Sequence, residues 1–131
     1  MRGSGVSFLG IVVGLLLWWM GDTFLETPPE TPKEKRTERD YQKAFCPSLK
    51  GQMEYVLSDK TRVDCLTATH AIEIDWAEKW AEGIGQALYY AKMTGKAPAV
   101  ALIVGEKDAR YLKRLELVAE DAGITVFVIA R

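Results

Sequence analysis

The stretch from Arg62 to Ala91, RVDCLTATHAIEIDWAEKWAEGIGQALYYA, decides how this chain folds. Its first half alternates. In Ile72-Glu73-Ile74-Asp75 apolar, β-branched residues take turns with acids, the period of a strand whose side chains point to two faces in turn. Within a predicted strand His70–Asp75, Glu73 and Asp75 therefore share one face, and Ile72 and Ile74 the other. A strand over Thr61–Leu66 precedes it and carries Asp64, with Val63 and Cys65 facing away from that acid. At Ala77 the period becomes helical, and a long helix runs to Met93 before Thr94-Gly95 stops it. Trp80, Ile84, Leu88 and Ala91 form an apolar face of this helix suited to packing on a sheet. Lys79, Gly83, Gln86 and Tyr90 fall in a separate narrow stripe, which brings together a cation, a glycine that leaves space, an amide and a phenol.

Upstream, Gln52–Leu57 is another strand candidate, and Ser58-Asp59-Lys60 makes the turn into the next. A three-residue loop there sets Glu54 directly opposite Asp64 on one face, whereas a two-residue loop would bring Tyr55 to that place. Thr37–Cys46 reads as a helix with Thr37 as its cap, Asp40 at the third position of a capping box, and Tyr41 and Phe45 four apart on one face. Downstream, Pro98 marks the edge of Ala99–Val104 (AVALIV), a continuous apolar run of the kind buried on both faces of a sheet. A helix over Lys107–Ala122 stops at Gly123, and Ile124–Ala130 is the last strand. The order α-β-β-β-α-β-α-β describes one α/β domain over residues 37–131.

The chain before it is of a different kind. Val6–Met20 (VSFLGIVVGLLLWWM) holds no charge. Together with Gly21–Leu25, at the cost of Asp22, it approaches the ~20 residues of a membrane span, and its length also suits a secretory apolar region. It ends Trp18-Trp19-Met20-Gly21-Asp22, without a small-residue cleavage site, and paired tryptophans suit a membrane–water interface. Residues 1–25 are thus expected to be an uncleaved signal-anchor, with a cleaved signal peptide and a buried soluble helix as alternatives. Either of the first two puts the domain outside the cytoplasm, periplasmic or extracellular, with Arg2 holding the short head inside. Gly10 and Gly14 form a G-x-x-x-G through which two such helices would self-associate, although small residues are common in membrane helices generally. Residues 26–36 (ETPPETPKEKR) are an extended, Pro-rich linker.

A net charge of −1 over 131 residues argues against a protein whose main task is coating nucleic acid, though not against a nuclease that grips its substrate through a metal. Two cysteines and one histidine do not make a zinc site. Cys46 and Cys65 are two buried thiols or one disulfide, and the compartment decides; outside the cytoplasm a disulfide is expected, tying the first helix to the second strand. His70, on the opposite parity to Glu73, suits a structural hydrogen bond better than catalysis. The charges from Lys107 to Lys113 mix with Asp108, Glu116 and Glu120 and read as a solvated face.

The chemistry lies with the acids. Carboxylates among β-branched residues near the middle of a sheet are costly unless they pair or bind a cation. One carboxylate from each of two adjacent strands, Asp64 and Glu73, suits Mg²⁺ or Mn²⁺, and Glu54, repelled by Asp64, would join them around the ion. The plainer reading is a set of carboxylates on an exposed sheet face.

Asp64, then Glu73-Ile74-Asp75, then Gln86-Ala87-Leu88-Tyr89-Tyr90, resembles the RecB-type branch of the PD-(D/E)XK nuclease superfamily, which carries an aspartate, an E-x-K pair and a Q-x-x-x-Y on the next helix. The likeness covers roughly Thr37 to Val104, and most narrowly Arg62 to Ala91, which looks like small, often secreted bacterial proteins of this fold. It implies a restriction-endonuclease-like αβββαβ core, here with an added helix and strand, in which Asp64 and Glu73 bind the metal. Gln86 and Tyr90 would line the site near the nucleic-acid backbone. One departure matters. Asp75 stands where the family has its lysine, and Lys79, on the stripe of Gln86 and Tyr90, is placed to supply that charge. The resemblance implies a metal-dependent nuclease acting on DNA or RNA, with a catalytically inactive module for binding or assembly at the membrane as the alternative.

Overall fold

A computed structural model describes residues 34–131. The signal-anchor, its G-x-x-x-G and most of the Pro-rich linker lie outside the described residues. Among the described residues no helix is long and apolar enough to cross a membrane.

The elements are α1 (Glu38–Ser48), β1 (Gln52–Val56), β2 (Arg62–Leu66), β3 (His70–Trp76), a 3-10 turn (Ala77–Lys79), α2 (Trp80–Thr94), β4 (Ala97–Val104), α3 (Ala109–Ala122) and β5 (Thr125–Ala130). They follow the expected order, with ends displaced by a few residues, as helix and strand ends usually are. The strands form one mixed sheet in the order β1-β2-β3-β4-β5, antiparallel from β1 to β3 and parallel from β3 to β5. The capping box at Thr37 is present: its backbone N–H donates to Asp40 Oδ2 at 2.8 Å. Gly95 and Gly123 end α2 and α3 in the left-handed conformation, where a Cβ is costly.

Helices cover both faces. Cys46 of α1 packs in one layer with Cys65, Ile72, Ile74, Ala99, Ala101 and Ile103 of the sheet. Ala87 of α2 and Leu115 and Ala119 of α3 pack in the other with Val100 and Leu102. The run 99–103 in β4 is fully buried because its alternate residues serve these two layers. Pro98 lies inside β4, beside Ala71, rather than before the strand.

Two expectations need correcting. Leu88, assigned to the sheet-packing face of α2, is 42% exposed, while Gly83, Ala87 and Tyr90 are buried. The sheet-facing side of α2 is thus the stripe of Gly83, Gln86 and Tyr90, flanked by Trp80 and Ile84. Small residues bring the helix close to the strands, a packing signal that apolarity alone does not register. Val63 and Cys65 do not share a face. Val63 packs with Leu57, Ala71 and Tyr90, and Cys65 with Cys46 and Ile72.

The cause lies in the β1–β2 hairpin. Its loop is Ser58 to Lys60, closed by Leu57 N–H donating to Thr61 O at 2.8 Å. The register Met53↔Cys65 and Tyr55↔Val63 therefore sets Glu54 across from Asp64, as a three-residue loop requires. Glu54 has φ +53°, a left-handed conformation that a strand residue other than glycine rarely adopts. Met53 and Cys65 belong to the α1 layer, and Tyr55 and Val63 to the α2 side. The alternation reverses at the Glu54–Asp64 pair, which turns these two acids out of the regular pleat.

Candidate functional site

Asp64 and Glu73 meet where β2 and β3 part. The antiparallel ladder between these strands runs only through Leu66↔Ala71 and Cys65↔Ile72. Past that point side chains replace main-chain pairing. The backbone N–H of Ile74 donates to Asp64 Oδ2 at 2.9 Å, and that of Asp64 donates to Glu73 Oε1 across a longer 3.4 Å. Each strand thus lends a carboxylate to the other's orphaned donor.

Asp75 follows on the same side of β3 as Glu73, beside Leu102 of β4 and beneath α2. It is 5% exposed, and its Oδ2 has no hydrogen-bond partner among the described residues. Gly83 makes room for it: a Cβ at that position would sit 3.0 Å from Asp75 Oδ2 and 3.3 Å from Val100 Cγ1. Any larger residue would press on the carboxylate or lift the helix.

These acids are poorly compensated. Burial raises Asp75 to about 7, helped by the charges of Glu38 and Asp64, while Lys79 opposes the rise. Asp64 and Glu73 share their charge at close range, and both are pushed above the usual carboxylate range, Glu73 the more strongly. Burial is the first cause for each; Ile74 N–H offsets it at Asp64, and the Asp64 charge adds to it at Glu73. Tyr90, buried on α2, is also raised, by desolvation and then by the Glu73 and Asp64 charges that reach it. Lys79 is exposed on the 3-10 turn, where its charge acts on both Asp75 and Glu38. Gln86 is half-buried one turn from Gly83 and Tyr90.

Glu54 does not complete the expected cage with Asp64 and Glu73. Its Oε1 accepts from Gln42 Nε2 at 3.0 Å and its Oε2 lies 3.5 Å from Arg62 Nε. Among the described residues, no three His, Cys, Asp or Glu side chains gather as a ready-made metal site. The reason is visible in the hydrogen bonds: Gln42 and Arg62 hold Glu54, while Asp64 and Glu73 each accept a backbone N–H. What remains is a two-carboxylate arrangement with an unsatisfied third oxygen on Asp75. That all-oxygen donor set suits a hard cation completed by water and phosphate, as Mg²⁺ usually is, rather than one held in a protein cage.

Two residues of the site escaped the sequence reading. Gln42, 4% exposed, donates from Nε2 to both Glu54 Oε1 and Asp64 O (2.7 Å), so α1 pins the hairpin at its reversal. Glu38 raises Asp64 and Asp75 from the start of the same helix. The signal was present: Glu38, Gln42 and Cys46 are spaced i, i+4, i+8, and Cys46 is anchored beside Asp64 by the Cys46–Cys65 disulfide. That disulfide, with Cα atoms 5.6 Å apart, fits an oxidising, extracytoplasmic environment. His70 plays the structural part expected of it, with Nδ1 2.8 Å from Thr69 Oγ1 and Nε2 3.2 Å from Thr125 Oγ1.

Among the described residues, two surface cavities lie away from Asp64, Glu73 and Asp75. One, of about 300 Å³, lies between Leu49, Thr67, His70 and Phe127; the other, of about 480 Å³, lies between Gly105, Lys107, Asp108 and Arg131. No family model, curated protein or solved structure matches this chain.

Proposed function

We propose that this chain is a metal-dependent phosphodiesterase of the PD-(D/E)XK type, cutting DNA or RNA outside the cytoplasm while tethered by its N-terminal segment. The observation that carries the reading is Glu73 and Asp75 buried on one side of β3, with half-buried Asp64 bonded to the same strand and one Asp75 oxygen unpartnered among the described residues. Acids desolvated with so little positive charge beside them are costly to a fold, and a bound cation would offset that cost. Asp64 and Glu73 would hold Mg²⁺ or Mn²⁺, with Asp75 as a further oxygen donor. When bound, the ion supplies charge that offsets the acids and the substrate phosphate. The restriction-endonuclease-like core, αβββαβ, corresponds to α1 through β4, and α3 and β5 extend it.

The chain's own residues account for the rest. A water oxygen attacks phosphorus and loses a proton to solvent, the bond to the departing oxygen breaks, and that oxygen takes up a proton from solvent. Lys79, exposed beside Asp75, stabilises the charge that develops on the phosphoryl oxygens. Tyr90 and Gln86 position the phosphodiester from α2. Gln42 and the Cys46–Cys65 disulfide fix the β2 end of the site.

One observation favours a second reading, a nuclease-fold module without activity. Asp75 occupies the place of the family lysine, and Lys79 is exposed rather than buried with the acids. Titration calorimetry with Mg²⁺ and Mn²⁺, alongside cleavage of single- and double-stranded DNA and RNA, separates the two. Metal binding that Glu73→Gln weakens, with cutting that Lys79→Ala abolishes at little cost in metal affinity, supports the enzyme. Asp75→Lys should then retain some cutting in the Lys79→Ala background. Metal binding without cutting leaves the module; no metal binding at all removes the catalytic reading.

A further inference from the structure

The carboxyl ends of β3, β4 and β5, where open α/β sheets commonly take ligands, carry a row of cations and aromatic rings that the carboxylate site does not use. Arg36, just before α1, lies over the ring of Tyr41, 5.8 Å from its centroid. Tyr41 meets Trp76 edge to face at 5.5 Å, and Arg131 covers Trp76 at 4.9 Å. Trp76 directly follows Asp75 at the end of β3, but packs on the α1 side of the sheet while Asp75 faces α2. The register Trp76↔Ile103 and Ile103↔Ile129 sets the end of β5 two strand spacings, ~10 Å, from the end of β3. Beside Arg131 opens the cavity of about 480 Å³ that Lys107 also lines. On the other side, Lys79 is close enough for its charge to act on Asp75.

None of these cations is neutralised by a direct ion pair, because Arg62 with Glu54 is the only one among the described residues. The cavity also holds two acids: Asp108 turns its Oδ2 to the backbone N–H of Gly105 at 2.9 Å, and Glu106 is exposed beside Lys107 without a direct ion pair among the described residues. A guanidinium laid over an indole is a planar donor set with much of its rotational freedom already lost. Such planes stack on unpaired bases while their N–H groups reach phosphate oxygens.

We propose that this row is the path of a single-stranded nucleic acid: Arg36, Lys107 and Arg131 hold its phosphates, the Arg131 guanidinium on Trp76 stacks with a base, and the strand is led past Asp75. The path rests on the reading of the acids as a phosphodiester-cutting site and names the form of substrate that site receives. A local row of this kind also reconciles nucleic-acid binding with a net charge of −1, since attraction depends on where charge is concentrated.

The test is fluorescence anisotropy with the full chain in detergent micelles and EDTA, so that neither metal nor cutting enters. The probes are a labelled single strand of about 12 nucleotides and the matching duplex. The single strand should bind more tightly than the duplex. Arg131→Ala and Arg36→Ala should each weaken it about tenfold and lower the salt slope by about one. Arg131→Lys should keep the salt slope but not the affinity, because it restores charge without the plane. Lys92→Ala, near the far end of α2, should change nothing. No binding of the single strand, tighter binding of the duplex, or equal losses in Lys92→Ala and Arg131→Ala would overturn the proposal. If those results hold but the wild type cuts nothing in Mg²⁺, the catalytic reading falls and the binding path stands.

Discussion

The two sides of β3 are equally buried and chemically opposite. Ile72 and Ile74 are each 1% exposed beneath α1; Glu73 and Asp75 are 3% and 5% exposed beneath α2. Each isoleucine contributes roughly 1.5–3 kcal/mol by leaving water. The acids oppose folding, because a carboxylate taken from water without a matching cation resists ionising, and the raised pKa values are the sign of that cost. The same strand is therefore fastened on one side and strained on the other. A functional site inside a small domain needs such a partner face, since marginal stability leaves little reserve.

The largest expected effect sets these sides against each other. Ile74→Ala should destabilise by about 4 kcal/mol, a core truncation with little room to collapse, whereas Asp75→Asn should leave the metal-free protein as stable or more so. At pH 8 the urea midpoint of Ile74→Ala should fall, and that of Asp75→Asn should hold or rise. If both fall together, Asp75 is a structural acid and the contrast between the faces fails.

Next in size is the disulfide, which belongs wholly to the fastened side. Replacing both Cys46 and Cys65 by alanine should cost about 3 kcal/mol for a bridge spanning 19 residues. Gly51 sharpens this, because a Cβ there would lie 2.4 Å from Cys65 Sγ and 2.7 Å from Cys46 Sγ. Gly51→Ala should reproduce a good part of the double variant's loss, roughly 1–3 kcal/mol, with both cysteines still present. Because Cys65 adjoins Asp64 and Gln42 stands one turn from Cys46, cutting should decline in both variants even well below their melting points. Cutting that persists unchanged would mean that α1 does not steady the site.

Much of this contrast was legible in the chain. Strict alternation over 72–75 put two isoleucines and two acids on opposite faces, and the three-residue turn at 58–60 fixed Glu54 across from Asp64. The helix ends followed from Thr37, Gly95 and Gly123. What the residues did not disclose were features that exist only once layers close. Gly83 and Ala87 carry little apolar weight, so the true sheet-facing side of α2 was hidden behind Leu88. The reversal at Glu54 depends on a single φ of +53°, held from outside the hairpin by Gln42. Glu38 matters through its distance from Asp64 and Asp75, which no local spacing encodes.

The smallest expected effect is also the most diagnostic, because it separates a face that titrates from one that does not. In the unfolded chain Asp75 has a pKa near the ordinary ~3.9, and in the fold it is raised to about 7. Between those values the native state binds more protons than the unfolded state, so stability must fall as pH rises from about 4 through 7. Glu73, raised further, extends the decline to higher pH. Acids with lowered values, such as Asp40 and Asp59, lose their contribution only below this window and do not mask it. For metal-free protein the loss between pH 5.5 and 8.5 should be roughly 1–2 kcal/mol after screening near the site mouth, or about 5 °C in melting temperature. Asp75→Asn should make that slope shallower, leaving the share due to Glu73, while Ile74→Ala should lower the whole curve and keep its shape. Saturating Mg²⁺ should raise melting more at pH 8.5 than at pH 5.5, since a cation favours the ionised carboxylates. Melting that instead climbs with pH in the metal-free wild type would show these acids already compensated, and the cation would have no place to act.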